Sequence, residues 1–99
     1  MISAQVRREK ALVMARLSLF ACKAWESGKY DQAAASASKL WGFTLAFSGV
    51  DSDIFWYGSY LHRIYGEFIT SDCQDFTAWV LFKACQAFNG SSEPMECVA

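Results

Sequence analysis

Apolar residues recur every three or four positions along most of the chain, which is the repeat of an amphipathic α-helix. The repeat persists long enough to predict four helices, over residues 3–27, 31–48, 52–69 and 72–89. No segment alternates apolar and polar residues on both sides of a hairpin turn, so no strand is predicted. Short connections between long helices favour antiparallel neighbours. The sequence therefore predicts an all-α fold, a compact antiparallel four-helix bundle.

Residues that favour helix ends bound the predicted helices. Serine or aspartate stands at three N-cap positions, which are Ser3, Asp31, and Asp51 or Ser52. The fourth helix opens with Ser71, followed three residues later by Gln74, which is the spacing of a capping box. We expect residues 1–90 to form a single helical domain. Residues 91–99, a polar segment that contains Pro94, are expected to form a flexible tail.

Each predicted helix has an apolar stripe that we expect to face the core. In the first helix the stripe consists of Val6, Val13, Leu17, Phe20, Ala21 and Ala24. In the fourth helix it consists of Phe76, Val80, Ala84 and Phe88, with Leu81 at its edge. The second helix carries small residues on the side opposite its stripe, namely Ala35, Ser38, Gly42 and Ala46. Because glycine is unfavourable within a helix, Gly42 predicts a central helix with a closely packed neighbour at that point.

Aromatic residues make up 16% of the chain, more than a core of this size is expected to bury. Several of them project away from the predicted core stripes of the third and fourth helices, and tryptophan and tyrosine are enriched in interface hot spots. The short connection between these two helices predicts one shared patch. The predicted partner-binding residues are Trp56, Tyr60, Arg63, Glu67, Trp79, Phe82 and Lys83. The alternatives are burial of these rings in a crowded bundle and homodimerisation through them.

Charge is unevenly distributed along a chain whose formal net charge is −1. Residues 1–25 contain five Lys or Arg against Glu9, a net charge of +4, whereas residues 26–99 carry a net charge of −5. The first helix gathers much of this positive charge on a second candidate surface, which consists of Arg8, Leu12, Arg16, Leu19 and Lys23. Its cations are either simply solvated, or they face an acidic partner or a phosphate backbone.

Enzyme chemistry has few candidates in this sequence. His62 is the single histidine, and no phosphate-binding loop, HExxH or EF-hand spacing occurs. Cys73 lies in the first turn of the predicted fourth helix, where the helix dipole favours a thiolate, but Asp72 and Asp75 oppose that effect. The four cysteines show no CxxC pair. We therefore expect no catalytic residue, no metal and no cofactor.

The sequence also bears on where the protein resides. No uncharged apolar run approaches the roughly 18 residues that span a bilayer, so no membrane association is expected. Arg16 interrupts the apolar run of residues 11–24, which argues against a secretory signal peptide. Because long helical patterns are unlike a disulfide scaffold, we expect reduced and mostly buried thiols. These features predict a cytoplasmic protein.

Taken together, these features predict a small non-catalytic protein-binding module. We expect an inhibitor or regulator that occludes a surface of a host protein complex, a style typical of phage and mobile-element proteins. A homodimer is the other protein partner considered. The alternative function is a nucleic-acid-binding accessory subunit that uses the basic first helix, with strongly salt-dependent binding.

Overall fold

A computed structural model describes residues 3–89 of the chain. Four helices account for most of these residues: Ala4–Glu26 (α1), Tyr30–Leu45 (α2), Ser52–Ile69 (α3) and Phe76–Asn89 (α4). No strand occurs within this part of the chain. The predicted all-α bundle of four helices is confirmed. The predicted tail at residues 91–99 lies outside the described residues.

The first three helices form the body of the bundle and alternate in direction. Arg7 near the start of α1 pairs with Asp51 at the start of α3, and Ser18 further along α1 donates a hydrogen bond to the carbonyl of Leu61. α1 and α3 therefore run parallel. α2 packs against both and runs antiparallel to them, because Lys10 near the start of α1 lies over the ring of Phe43 near the end of α2.

Side-chain caps confirm two of the predicted helix starts. The Ser3 hydroxyl accepts a hydrogen bond from the N–H of Val6, and the Asp51 carboxylate accepts from Asp53 and Ile54. The prediction for α2 is wrong, because its N-cap is Lys29, without a side-chain cap, and Asp31 lies within the first turn. α2 begins at Tyr30, one residue before the predicted range of 31–48, because Gly28, at a φ of +80°, turns the chain directly after α1.

α4 begins four residues later than predicted, at Phe76. The capping box does not form: Ser71 donates instead to the carbonyl of Phe68 at 2.6 Å, closing the end of α3. Asp75 performs the capping role, since its carboxylate accepts from the N–H of Ala78 at 3.0 Å. A carboxylate oxygen of Glu26 accepts from the N–H of Phe76 at 2.6 Å, which fixes the start of α4 on the end of α1.

The core-facing side of α1 differs from the predicted stripe. Met14, Ser18 and Cys22 are buried, together with the expected Ala21 and Ala24. The outer members of the predicted stripe, Val6, Val13 and Phe20, are exposed. The buried side of α1 is centred between the predicted stripe and the opposite edge of the helix, and apart from Met14 its fully or nearly fully buried side chains are small. Small side chains allow α2 and α3 to approach closely, and Phe20 is left 54% exposed.

α4 also presents a different face from the one predicted. Trp79 points inwards and packs with Phe68 of α3, whereas Val80, Ala84 and Phe88 are exposed, Phe88 to 90%. The expectation that α3 and α4 lie side by side as antiparallel neighbours is also wrong. α4 contacts the ends of α1 and α3 through its first turns and then leaves the body of the bundle.

A close approach between two helices lies at Gly58 of α3, not at Gly42 of α2, where one was predicted. A Cβ atom at Gly58 would overlap the Oγ1, Cγ2 and Cβ atoms of Thr44, whereas one at Gly42 would meet nothing within 4 Å. Thr44 is fully buried and its hydroxyl donates to the carbonyl of Leu40 at 2.7 Å. Gly58 therefore sets how closely α2 and α3 pack, and the small-residue side of α2 at Ala35, Ser38, Gly42 and Ala46 is exposed.

We predict opposite effects for the same substitution at these two glycines. Gly42→Ala should raise the free energy of unfolding by about 0.5–1 kcal/mol, because it improves helix propensity in open space. Gly58→Ala should lower it by about 1–3 kcal/mol, because the added methyl overlaps Thr44 and forces the helices apart. Urea denaturation followed by circular dichroism measures both. Equal stability of the two variants would contradict the close contact.

An ion pair ties the starts of α1 and α3 together. The Arg7 guanidinium donates to both carboxylate oxygens of Asp51, at 2.7 and 3.1 Å, and approaches Asp53 at 3.4 Å. The Arg7 hydrogen bond holds the pKa of the Asp51 carboxyl below its ordinary value. The N–H groups of Ile54 and Asp53 act in the same direction, against the opposing effect of burial. Asp51 thus caps α3 and anchors α1 with one carboxylate.

This lowered pKa predicts acid-sensitive stability. Because the folded pKa lies below the unfolded one, the contribution of Asp51 is complete above about pH 4 and is lost as the pH falls through the lowered value. Asp51→Asn keeps a capping oxygen but removes the charge, so its deficit in melting temperature should be largest near pH 7 and should shrink below about pH 4. Asp53→Asn, at the weaker contact, is the matched control and should show a smaller deficit. A deficit of Asp51→Asn that does not change with pH would refute the assignment.

Candidate partner-binding surface

The outward side of α3 carries four of the predicted site residues in one row. Trp56, Tyr60, Arg63 and Glu67 recur at helical spacing and are all exposed, Trp56 to 67%. The Arg63 guanidinium lies 5.5 Å from the centroid of the Tyr60 ring, and its Nε is 3.8 Å from Oε2 of Glu67. Phe55 packs edge-on against Trp56 at 5.3 Å. The neighbouring side chains therefore support the row, which remains open to solvent.

The row ends at a groove of about 660 Å³ between the end of α3 and the first turns of α4. Four predicted site residues meet there, namely Glu67, Trp79, Phe82 and Lys83. The groove is completed by Thr70, Ser71, Asp72, Cys73 and Ala78. All seven predicted partner-binding residues thus belong either to the α3 row or to this groove, and Glu67 belongs to both. We call the row and the groove together the α3–α4 surface.

Trp79 occupies a different position in this surface from the one predicted. Its side chain is 4% exposed and packs against Phe68 and Phe76, with ring centroids 5.6 and 6.2 Å away. The Nζ atom of Lys83 lies 5.7 Å from the Trp79 centroid. The expectation that Trp79 projects away from the core is therefore wrong. α4 turns Trp79 towards the end of the bundle, where its ring packs against Phe68 and Phe76. The ring forms the floor of the groove, while half-buried Phe82 and Lys83 line it.

The groove residues between α3 and α4 were not found from the sequence. The predicted third helix ended at residue 69, which left Thr70 in the connection, and Asp72 and Cys73 were assigned to α4 as helical residues. In the structure they form an irregular connection that opens one side of the groove. The available signal was Asp75, an N-cap residue directly before the apolar Phe76.

The second candidate surface lies on the exposed side of α1. All five of its predicted residues, Arg8, Leu12, Arg16, Leu19 and Lys23, are exposed. The Nζ of Lys23 contacts Glu26 at 3.4 Å and the Thr77 hydroxyl at 3.5 Å. Val13 and Phe20, which were expected in the core, extend this surface. Their seven-residue separation, like that of Leu12 and Leu19, is a repeat that marks one side of a helix.

The candidate reactive side chains Cys73 and His62 lie beside a backbone carbonyl and between two aromatic rings, respectively. Cys73 precedes α4, so the helix-dipole argument does not apply, and its Sγ donates to the carbonyl of Asp75 at 3.3 Å. Burial raises the pKa of the Cys22 thiol to about 12. His62 lies between the rings of Trp41 and Tyr65, with centroids 5.1 and 6.4 Å away. Cys97 lies outside the described residues.

Two further observations concern the described residues as a whole. Within residues 3–89, no three His, Cys, Asp or Glu side chains lie close enough together to bind a metal ion. In the same range, no helix has both the length and the apolar character needed to cross a bilayer. No family model, curated protein or solved structure matches the chain.

Proposed function

We propose that this protein is a non-catalytic protein-binding module whose principal contact is the α3–α4 surface. The observation that carries the proposal is the continuity of exposed aromatic side chains with the groove between α3 and α4. Trp56 and Tyr60 are exposed on α3, and the groove that Trp79 lines begins where their row ends. Exposed aromatic side chains beside a pocket are the typical composition of an interface hot spot.

The charges around these rings favour a partner that binds and dissociates. Arg63, Glu67 and Lys83 provide both signs of charge at the edges of the row and the groove. An apolar centre with a polar rim is the arrangement of non-obligate interfaces. The row from Trp56 to Glu67 extends about 16 Å at 1.5 Å per residue, and the groove lengthens it further. That extent suits a segment of a protein better than a small molecule.

Such a surface suits inhibition or regulation by occlusion. Binding energy concentrated in a few rings is sufficient to cover a surface of a host protein complex, and no catalytic group is required. Mobile-element and phage proteins of this size act in that way, and this chain fits such a role. The free thiols of Cys22 and Cys73 are compatible with the reducing cytoplasm, where we place the protein.

Nucleic-acid binding through α1 is the second candidate function. The observation in its favour is that Arg8 and Arg16 are exposed and form no ion pair within residues 3–89. Binding of this kind would be lost when salt is raised from about 50 to 200 mM, because phosphate contacts release counterions. Recovery of salt-sensitive nucleic acid with the native protein would favour this candidate over the first.

Site-specific photo-crosslinking in the native host tests the principal proposal. A benzophenone side chain at Tyr60 should capture one protein reproducibly, whereas the same group at Val50, an exposed residue of the α2–α3 turn, should not. Trp56→Ala should weaken binding of the captured protein by about thirtyfold or more, the cost of truncating a hot spot. Its melting temperature should match that of the unmodified protein, because the ring is exposed.

Three outcomes would overturn this proposal. Equal capture from Tyr60 and Val50 would show that the α3 row is not selective. Crosslinking only to a second copy of the chain would show that the α3–α4 surface forms a homodimer and does not bind a different protein. Unfolding of Trp56→Ala, at the roughly 3–5 kcal/mol typical of a truncated core ring, would show that Trp56 belongs to the core.

A further inference from the structure

The exposed side of α1 combines cationic and large apolar side chains that the bundle itself does not use. We call this surface the α1 strip, and its residues are Arg8, Leu12, Val13, Arg16, Leu19, Phe20 and Lys23. It extends about 22 Å from Arg8 to Lys23 at 1.5 Å per residue. Four large apolar side chains on one exposed helix side are more than scattered surface residues, and they indicate a surface that another molecule covers.

The strip carries positive charge that is available to a partner. Arg8 and Arg16 form no ion pair within the described residues, whereas the adjacent Arg7 is bound to Asp51. Lys23 contacts Glu26 but remains exposed. Glu9 and Glu26 lie on the same side of the helix, so three cations stand against two anions, and Arg8 and Arg16 are the cations that no carboxylate neutralises within residues 3–89. A partner that covers it should therefore be acidic.

The order of side chains around the helix distinguishes the kinds of acidic partner. At about 100° per residue, Arg16 and Lys23 fall between Leu12 and Phe20. A membrane-surface helix instead keeps one uninterrupted apolar sector with its cations at the borders. Phosphate backbones use cations, but they leave Leu12, Leu19 and Phe20 uncovered. A protein helix that alternates carboxylates with apolar side chains satisfies both kinds of residue at once.

We infer that the α1 strip is a second docking surface and that it binds an acidic amphipathic helix of another protein. Asp or Glu side chains of that helix pair with Arg8 and Arg16. Its apolar side chains cover Leu12, Leu19 and Phe20. The strip lies on a different helix from the α3–α4 surface and does not depend on it, so one molecule can join two protein segments.

Selection from an unbiased displayed library of helical peptides tests this inference. Peptides of about 18 residues match the length of the strip. The selected peptides should alternate acidic and apolar residues, and Arg16→Glu should weaken their binding by about tenfold or more. A Glu→Lys change in the peptide at the facing position should restore binding to that variant. Lys39→Glu, which reverses an exposed cation of α2, is the matched control and should leave binding unchanged.

The same experiment contains the results that would overturn the inference. Failure to select binders, or selection of binders insensitive to Arg16→Glu, would remove the strip as a docking surface. Binding lost in Trp56→Ala would assign the peptides to the α3–α4 surface and leave the proposed function intact. If the library yields no acidic peptides, binding of the protein to vesicles of about 30% phosphatidylglycerol, or to duplex DNA, in a way that depends on Arg16 would show that the strip binds lipid or nucleic acid instead of a protein helix.

Discussion

The close contact between Gly58 and Thr44 is the constraint on which the rest of the architecture depends. It brings the backbones of α2 and α3 together at a point where a methyl group would not fit. α1 meets both helices mostly with small buried side chains, Ser18, Ala21 and Cys22, and with one large side chain, Met14. A bundle with helices this close has a thin core, so burial is limited by space rather than by the supply of apolar residues.

The position of the aromatic rings follows from that thin core. Phe68 and Trp79 are buried because they lie at the end of the bundle, where α4 closes the gap left by α1 and α3. Trp56 and Tyr60 lie on the side of α3 that faces away from the other described helices. Phe20 likewise lies on the side of α1 that faces away from the core. Both candidate surfaces are thus consequences of small residues at the helix contacts.

Local signals predicted the helices well but misplaced part of the buried side of α1 and most of that of α4. Ser3 and Asp51 mark helix starts because a cap depends on only a few neighbouring residues. The buried side depends on which neighbouring helix comes closest, and a stripe chosen from the spacing of apolar residues alone placed Phe20 and Phe88 in the core. Trp56 and Tyr60 were found because they lie directly opposite the core side of α3. The inward position of Trp79 follows from how α4 meets the bundle end, which no local pattern encodes.

Solvent accessibility of the four tryptophans tests the central claim most directly. Fluorine resonances of 5-fluorotryptophan can be compared in the presence of a soluble gadolinium relaxation agent. A thin core predicts the strongest relaxation at Trp56, which is 67% exposed, and the weakest at Trp79, which is 4% exposed. Similar protection of Trp56 and Trp79 in the monomer, or strong relaxation at Trp79, would contradict the account.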